Sequence, residues 1–303
     1  MRSGPASRDG SRASKTREIA IPTPPPHRQR STGFARIRLG CPDGRETRIL
    51  DIAESGPLRL RMPRRSEGAV EAVLLNTAGG IACGDAFETG VTLDEGADFV
   101  FTTVAAEKIY RSDGPVSTVA TRASLAAGTR FAFLPQETIL FDRAALRRRF
   151  EADLAGDARL LAFEAVTFGR AARAEEIAQG TLVDAWRIRR GGRLVVADTL
   201  RLDGPIGALL DRTALGGGAR AMATLIDVSP DAERRLDEMR AILEVAGANA
   251  EAGVRGRVEA GASAWNGHLV VRFLSADGDA LKRVAQRVLV AYRKAPLPRV
   301  WQG

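Results

Sequence analysis

A chain of 303 residues with 45% hydrophobic content can bury a substantial core. Its formal charge of +8 comes from 41 arginines and four lysines scattered along the chain, and 5% aromatic content leaves few stacking platforms, which argues against nucleic-acid binding. No apolar run approaches the ~20 residues of a membrane span and no apolar secretory segment opens the chain, so a cytoplasmic location without membrane attachment is expected.

Residues 1–33 are rich in Ser, Arg and Pro and lack an apolar pattern, which predicts a disordered basic arm. Residues 34–303 read as one domain, a strand-rich body over 34–228 and an α+β end over 229–303. From Phe34 onward short alternating runs recur, among them "FARIRLG", "LRLRM", "AVEAVLLN", "DAFETGVTL" and "DFVFTTV". Such density of strands predicts a mainly β body.

Between two of these runs lies "LLNTAGGIACGD", from Leu74 to Asp85. It matches neither GxxxxGK[ST] nor GxGxxG opening a helix. Gly79, Gly80 and Gly84 therefore predict a sharp turn between strands. Cys83 in this stretch and the distant Cys41 form no CxxC, and both are expected to be reduced thiols. With His27 and His268 the only histidines, a metal would be held mostly by oxygen.

Three turns share a pattern: "LDEGADF" from Leu93, "LAAGTRF" from Leu125 and "LAGDARL" from Leu154, spaced by 32 and 29 residues. A fourth, "RRGGRL", follows at 189–194. This period predicts strands stacked unit on unit in a β-helix-like body. The fifth residue after each turn is Thr103, Pro135, Glu164 and Asp198, with Gln136 and Glu137 just beyond Pro135. Stacking in register would gather these groups on one side, although alternation alone also puts charges on a solvent face.

The last third predicts two α-helices. "SPDAERRLDEMRAILEVAG" has Ser229 as a cap, Pro230 at the first helical position and a stop at Gly247. Two strands, "VRGRVEAGASAW" and "HLVVRFLS", precede the second helix, "ALKRVAQRVLVAYRKA", which ends before Pro296.

Taken together, "LLNTAGGIACGD", "AAEKIYRS", "FLPQETILF", "LLAFEAVTFGR", "DTLRLDG" and the closing "LPRVW" make the chain resemble the urease accessory protein D family from Phe34 to the C-terminus. The resemblance implies a non-enzymatic scaffold and metallochaperone in a hetero-oligomer. Its partners would be urease apoprotein, accessory protein F and the GTPase accessory protein G, and it would assist nickel delivery to the urease active site. It implies no tightly bound cofactor, only transient Ni2+, and a route for nickel lined by buried carboxylates. Carried over residue by residue, that route takes in Asp85, Glu164 and Glu175, with Lys108 and Ser112 as motif residues, and the repeat adds Gln136 and Glu137 as polar residues. Cys83 replaces a family glycine, which implies either a soft ligand beside Asp85 or a small buried thiol. Trp301 in "LPRVW" is expected to anchor a partner. Two rival classes stay open: a carboxylate enzyme using Glu137 and Glu164 on stacked strands, and a basic nucleic-acid binder.

Overall fold

The computed structural model describes residues 30–63, 69–170, 175–249 and 256–301, with the isolated positions 1 and 4. The expected arm falls almost wholly outside the described residues, but Thr32 and Gly33 already belong to a strand, because they pair with Ala86 and Phe87. His27 also lies outside them.

In chain order the strands begin with β1 (Thr32–Gly40), β2 (Arg48–Ser55), β3 (Leu58–Arg61), β4 (Val70–Asn76), β5 (Ala86–Leu93) and β6 (Asp98–Thr103). They continue with β7 (Glu107–Ile109), β8 (Ser117–Leu125), β9 (Arg130–Leu134), β10 (Thr138–Leu140), β11 (Ala145–Leu154) and β12 (Arg159–Phe168). After β13 (Gly180–Arg190) and β14 (Arg193–Gly204) come α1 (Ile206–Asp211), β15 (Ala221–Val228) and α2 (Leu236–Val245). The chain closes with β16 (Val258–Trp265), β17 (His268–Ser275) and α3 (Gly278–Arg293).

Among the described residues these strands form a seven-stranded sheet, ordered β14-β13-β11-β8-β5-β1-β2, and a ten-stranded sheet running from β16 to β3. The middle of both is parallel. β5, β8, β11 and β13 stack in the first sheet, while β4, β6, β9 and β12 stack in the second. The short β7 and β10 form a third parallel run. The chain thus passes from sheet to sheet and climbs one strand per circuit, which is a β-helix-like body.

The repeated turns are the corners of that coil. In register, Phe99 sits beside Phe131 and Phe131 beside Leu160, so rings stack along the interior: Phe99 on Phe131 at 5.6 Å and Phe101 on Phe133 at 5.4 Å. Each pair adds about 0.5–1.5 kcal/mol beyond its buried area. Successive corners are tied by Ala126 N–H to Leu93 O (2.9 Å) and Ala155 N–H to Leu125 O (2.8 Å). The fourth turn departs from the pattern. Gly191 N–H still bonds Leu154 O at 2.9 Å, but the chain reverses there into the antiparallel pair β13/β14 instead of crossing to the second sheet. Two positive-φ glycines, Gly191 and Gly192, make that reversal possible.

Two cores result. One lies between the sheets, and the other between the outer face of the second sheet and the C-terminal helices. β12 serves both: Leu160, Ala162 and Val166 face the first, Phe163 and Ala165 the second. α2 and α3 are the expected helices, with a short α1 added in the connection from β14. The first of them begins later than its sequence signals suggest. Ser229 directs its hydroxyl to Asp227 instead of capping, and a 3-10 turn, Ala232–Arg235, precedes α2. α3 is capped as such a helix should be, by Asp277, whose carboxylate accepts from the N–H groups of Asp279 (2.8 Å) and Ala280 (3.1 Å). It ends on Lys294 in the left-handed conformation, two residues before Pro296.

Candidate functional site

Strand alternation puts residues of one parity on the inter-sheet face. On β11 that parity runs Leu146, Arg148, Phe150; on β13 it runs Leu182, Asp184, Trp186; on β12 it runs Ala162, Glu164, Val166. Three charged residues thus occupy positions that otherwise carry core side chains. All three are buried.

They meet across the sandwich. Arg148 donates from Nε to Asp184 Oδ1 (3.1 Å) and from Nη2 to Oδ2 (2.6 Å), and its Nη1 reaches Thr138 Oγ1 (3.1 Å). Its Nη2 also stands 3.2 Å from Glu164 Oε2. That oxygen is out of line with the N–H, so it gains Coulombic contact but accepts no hydrogen bond. Along the second sheet Glu164 pairs with Thr224 and Thr224 with Arg272. Arg272 donates to Thr224 Oγ1 (2.5 Å) and binds Asp198, which faces it from β14. These groups line a cavity of about 260 Å³ with Trp186, Leu200 and Leu215.

Burial sets the electrostatics. It pushes Glu164 from 4.5 up to about 8, against the pull of Arg148 and with the push of Asp184. Burial also disfavours the Arg148 cation, yet Asp184 and Glu164 outweigh it and hold the guanidinium charged. A carboxyl whose folded value exceeds its unfolded one favours folding most below the unfolded value, and that contribution is lost as pH rises toward the folded one. Stability should therefore decline between about pH 5 and 8, by at most about 1.4 kcal/mol per pH unit from this group. Urea unfolding across that range should show a flatter profile for Glu164→Gln.

The other residues singled out by the sequence lie elsewhere. Asp85 is buried and spent on the backbone, accepting from Ser31 N–H (2.7 Å) and Ala82 N–H (2.8 Å), so it closes the glycine turn. Within that turn Gly80, at φ 150°, leaves a Cβ only 2.4 Å from the Tyr110 ring. Gly79 and Gly84 also have positive φ. The Cys83 thiol contacts Asp113 Oδ1 (3.1 Å) and the Ser112 hydroxyl (3.3 Å), and that hydroxyl also donates to Pro115 O (2.7 Å). Glu175 pairs with Arg170 and accepts from Asp142 N–H (3.1 Å), which pins the loop after β12.

Lys108 is exposed, because its neighbour Ile109 takes the inward position on β7, so it lines no interior route. Glu137 is half-buried and pairs with Lys282 at 3.4 Å. Gln136 is buried and donates to Val300 O at 2.8 Å. Trp301 is buried too: its Nε1 donates to Leu134 O (3.1 Å) and Thr102 Oγ1 (3.2 Å), and its ring meets Phe163. The indole secures the chain's own C-terminus against the second core.

The expected nickel set of Asp85, Glu164, Glu175 and Cys83 is therefore dispersed. Among the described residues no three His, Cys, Asp or Glu side chains stand together in a metal-holding group. Of the acids in that set only Glu164 lines the inter-sheet cavity, where the repeat's Asp198 joins it, and Arg148 and Asp184 were missed. Their signal was present as charged residues at core parity in "LRRRF" and "LVDAW".

Comparison with known proteins agrees with this architecture of stacked strands and C-terminal helices. The family model described as UreD urease accessory protein matches residues 31–302. Urease accessory protein UreD 1 of Methylobacterium radiotolerans is 59% identical over 279 residues, covering 92% of this chain and 94% of its own. UreD of Methylobacterium sp. (strain 4-46) is 55% identical over 282 residues, with 93% and 98% covered. UreD of Xanthobacter autotrophicus is 53% identical over 274 residues, with 90% and 91% covered. A match of such extent, on a coil of stacked strands closed by two helices, makes this chain a member of the urease accessory protein D family, with a role in urease maturation.

Proposed function

We propose that the chain is a non-catalytic scaffold that binds apo-urease together with accessory proteins F and G, and that nickel passes through its inter-sheet cavity on the way to the urease active site. One observation carries this reading: buried Glu164 lines the inter-sheet cavity, and its Oε2, 3.2 Å from Arg148 Nη2, accepts no hydrogen bond. A buried acceptor without a hydrogen bond costs about 1–3 kcal/mol, offset here only by the ion contact with Arg148. The donor set suits transit. Carboxylates and hydroxyls hold nickel weakly, whereas imidazoles and thiolates would trap it. His268, the one described histidine, is buried beside Trp265, and burial lowers its pKa.

The test is co-expression with urease and its accessory proteins, measuring activated urease, nickel content and complex yield together. Glu164→Gln should lower activation several-fold at normal complex yield. Asp85→Ala should lower both in parallel, since it takes from the Ser31 and Ala82 amides the acceptor that closes the glycine turn. The exposed Glu46→Gln serves as control. Full activation by Glu164→Gln would remove the cavity from the route.

A further inference from the structure

The carboxyl groups that line the cavity already stand against cations of the protein's own. Arg148 lies between Asp184 and Glu164, bidentate to the first at 3.1 and 2.6 Å and 3.2 Å from the second. On the facing row Arg272 binds Asp198 and Thr224. Two guanidiniums thus stand against three carboxyl groups around one space of about 260 Å³. The match is incomplete at a single atom. Glu164 Oε2 touches the guanidinium but receives no hydrogen bond from it.

We propose that Arg148 is an internal counter-cation that competes with a divalent metal for the carboxyl oxygens of Glu164 and Asp184. This rests on reading the cavity as a cation path and adds how that path is kept from becoming a sink. A divalent ion entering between these carboxylates meets a fixed positive charge at contact distance. Inside a protein such repulsion is far stronger than in water. The ion therefore binds only as the guanidinium gives up Asp184 or Glu164, and the guanidinium's return displaces it. A carboxylate pair without such a competitor would hold the metal longer. The fork shape matters as well. Arginine spans both Asp184 oxygens at once, which a lysine ammonium, a single point charge, does not do. Thr138 Oγ1, at 3.1 Å from Nη1, steadies the guanidinium from β10.

The test is nickel binding to the purified full-length chain by titration calorimetry, with cobalt(II) absorption as a second probe. Arg148→Ala should tighten nickel binding about ten- to a hundredfold, the range over which neighbouring groups set metal affinity. The gain should vanish in Arg148→Ala/Glu164→Gln. Millimolar guanidinium should reverse it, refilling the vacated space, while equimolar urea should not. If Arg148→Ala folds poorly, the same prediction is read from melting: nickel should raise its melting temperature more than it raises that of the wild type, because a ligand of the folded state stabilises it.

No nickel-dependent gain in either affinity or melting temperature would overturn the counter-cation. So would a gain that persists in the double variant. Loss of urease activation in Glu164→Gln alongside either result leaves the path standing and removes only the competition. Full activation in Glu164→Gln removes the path, whatever Arg148→Ala binds.

Discussion

Trp301→Ala is expected to destabilise the isolated chain by about 3–5 kcal/mol, the usual cost of deleting a buried indole. Its ring fills the second core against Phe163, 5.8 Å between centroids. Its Nε1 proton goes to Leu134 O and Thr102 Oγ1, on β9 and β6. Gln286 on α3 donates to its carbonyl at 2.6 Å. The last residues thus clamp α3 onto the parallel coil. Total stabilities lie near 5–15 kcal/mol, so a loss of this size should lower the melting temperature by about ten degrees. Trp301→Phe should fall between, since it keeps the ring contact and strands the two acceptors. The measurement is a thermal melt of the purified chain with no partner present. An unchanged melt together with lost capture of accessory protein F would move the indole to an interface.

Asp227→Ala should cost a similar amount, about 3–5 kcal/mol, by leaving buried partners uncompensated. Asp227 is buried on β15 and accepts from the Tyr292 hydroxyl at 2.6 Å and from Ser229. Arg235 stands 3.5 Å away and lies over the Tyr292 ring at 3.6 Å. One carboxylate therefore joins β15, the start of the α2 segment and the last turn of α3. Burial raises the pKa values of both Asp227 and Tyr292, so this network is a desolvated one whose members depend on each other. Tyr292→Phe should cost less, about 1–3 kcal/mol, and the double variant should lose less than the sum of the two. Strict additivity in urea unfolding would show that the two groups act separately.

Several features were legible because their physics is local. The corner turns at Leu93, Leu125 and Leu154 carry their own glycines and apolar flanks, so their spacing reported the coil directly. The two helices announced themselves by apolar periodicity and by stops at Gly247 and Pro296. The fourth corner misled because "RRGGRL" satisfies a hairpin as well as a corner. Which one forms depends on whether the following strand finds a free place in the first sheet, and β14 does, at its edge. Glu164 was reached through the repeat and the resemblance, but Asp198 was reached by a false equivalence. It belongs to the other sheet, and only the closure of the sandwich brings it to the same cavity.

The sequence by itself determined the stacked strands, the glycine turn before Asp85, the helical end and the family, because each rests on residues a few positions apart or on motifs in order. The tertiary structure alone decided which polar residues face each other. Asp85 was spent on two amides and Glu175 on Arg170, Lys108 was left in solvent, and Trp301 was buried. Arg148, Asp184 and Glu164 were brought together from three strands. No local rule specifies these outcomes, since a charged residue at core parity is favourable only when its partner arrives from another strand. Burial without that partner would cost more than the fold can supply.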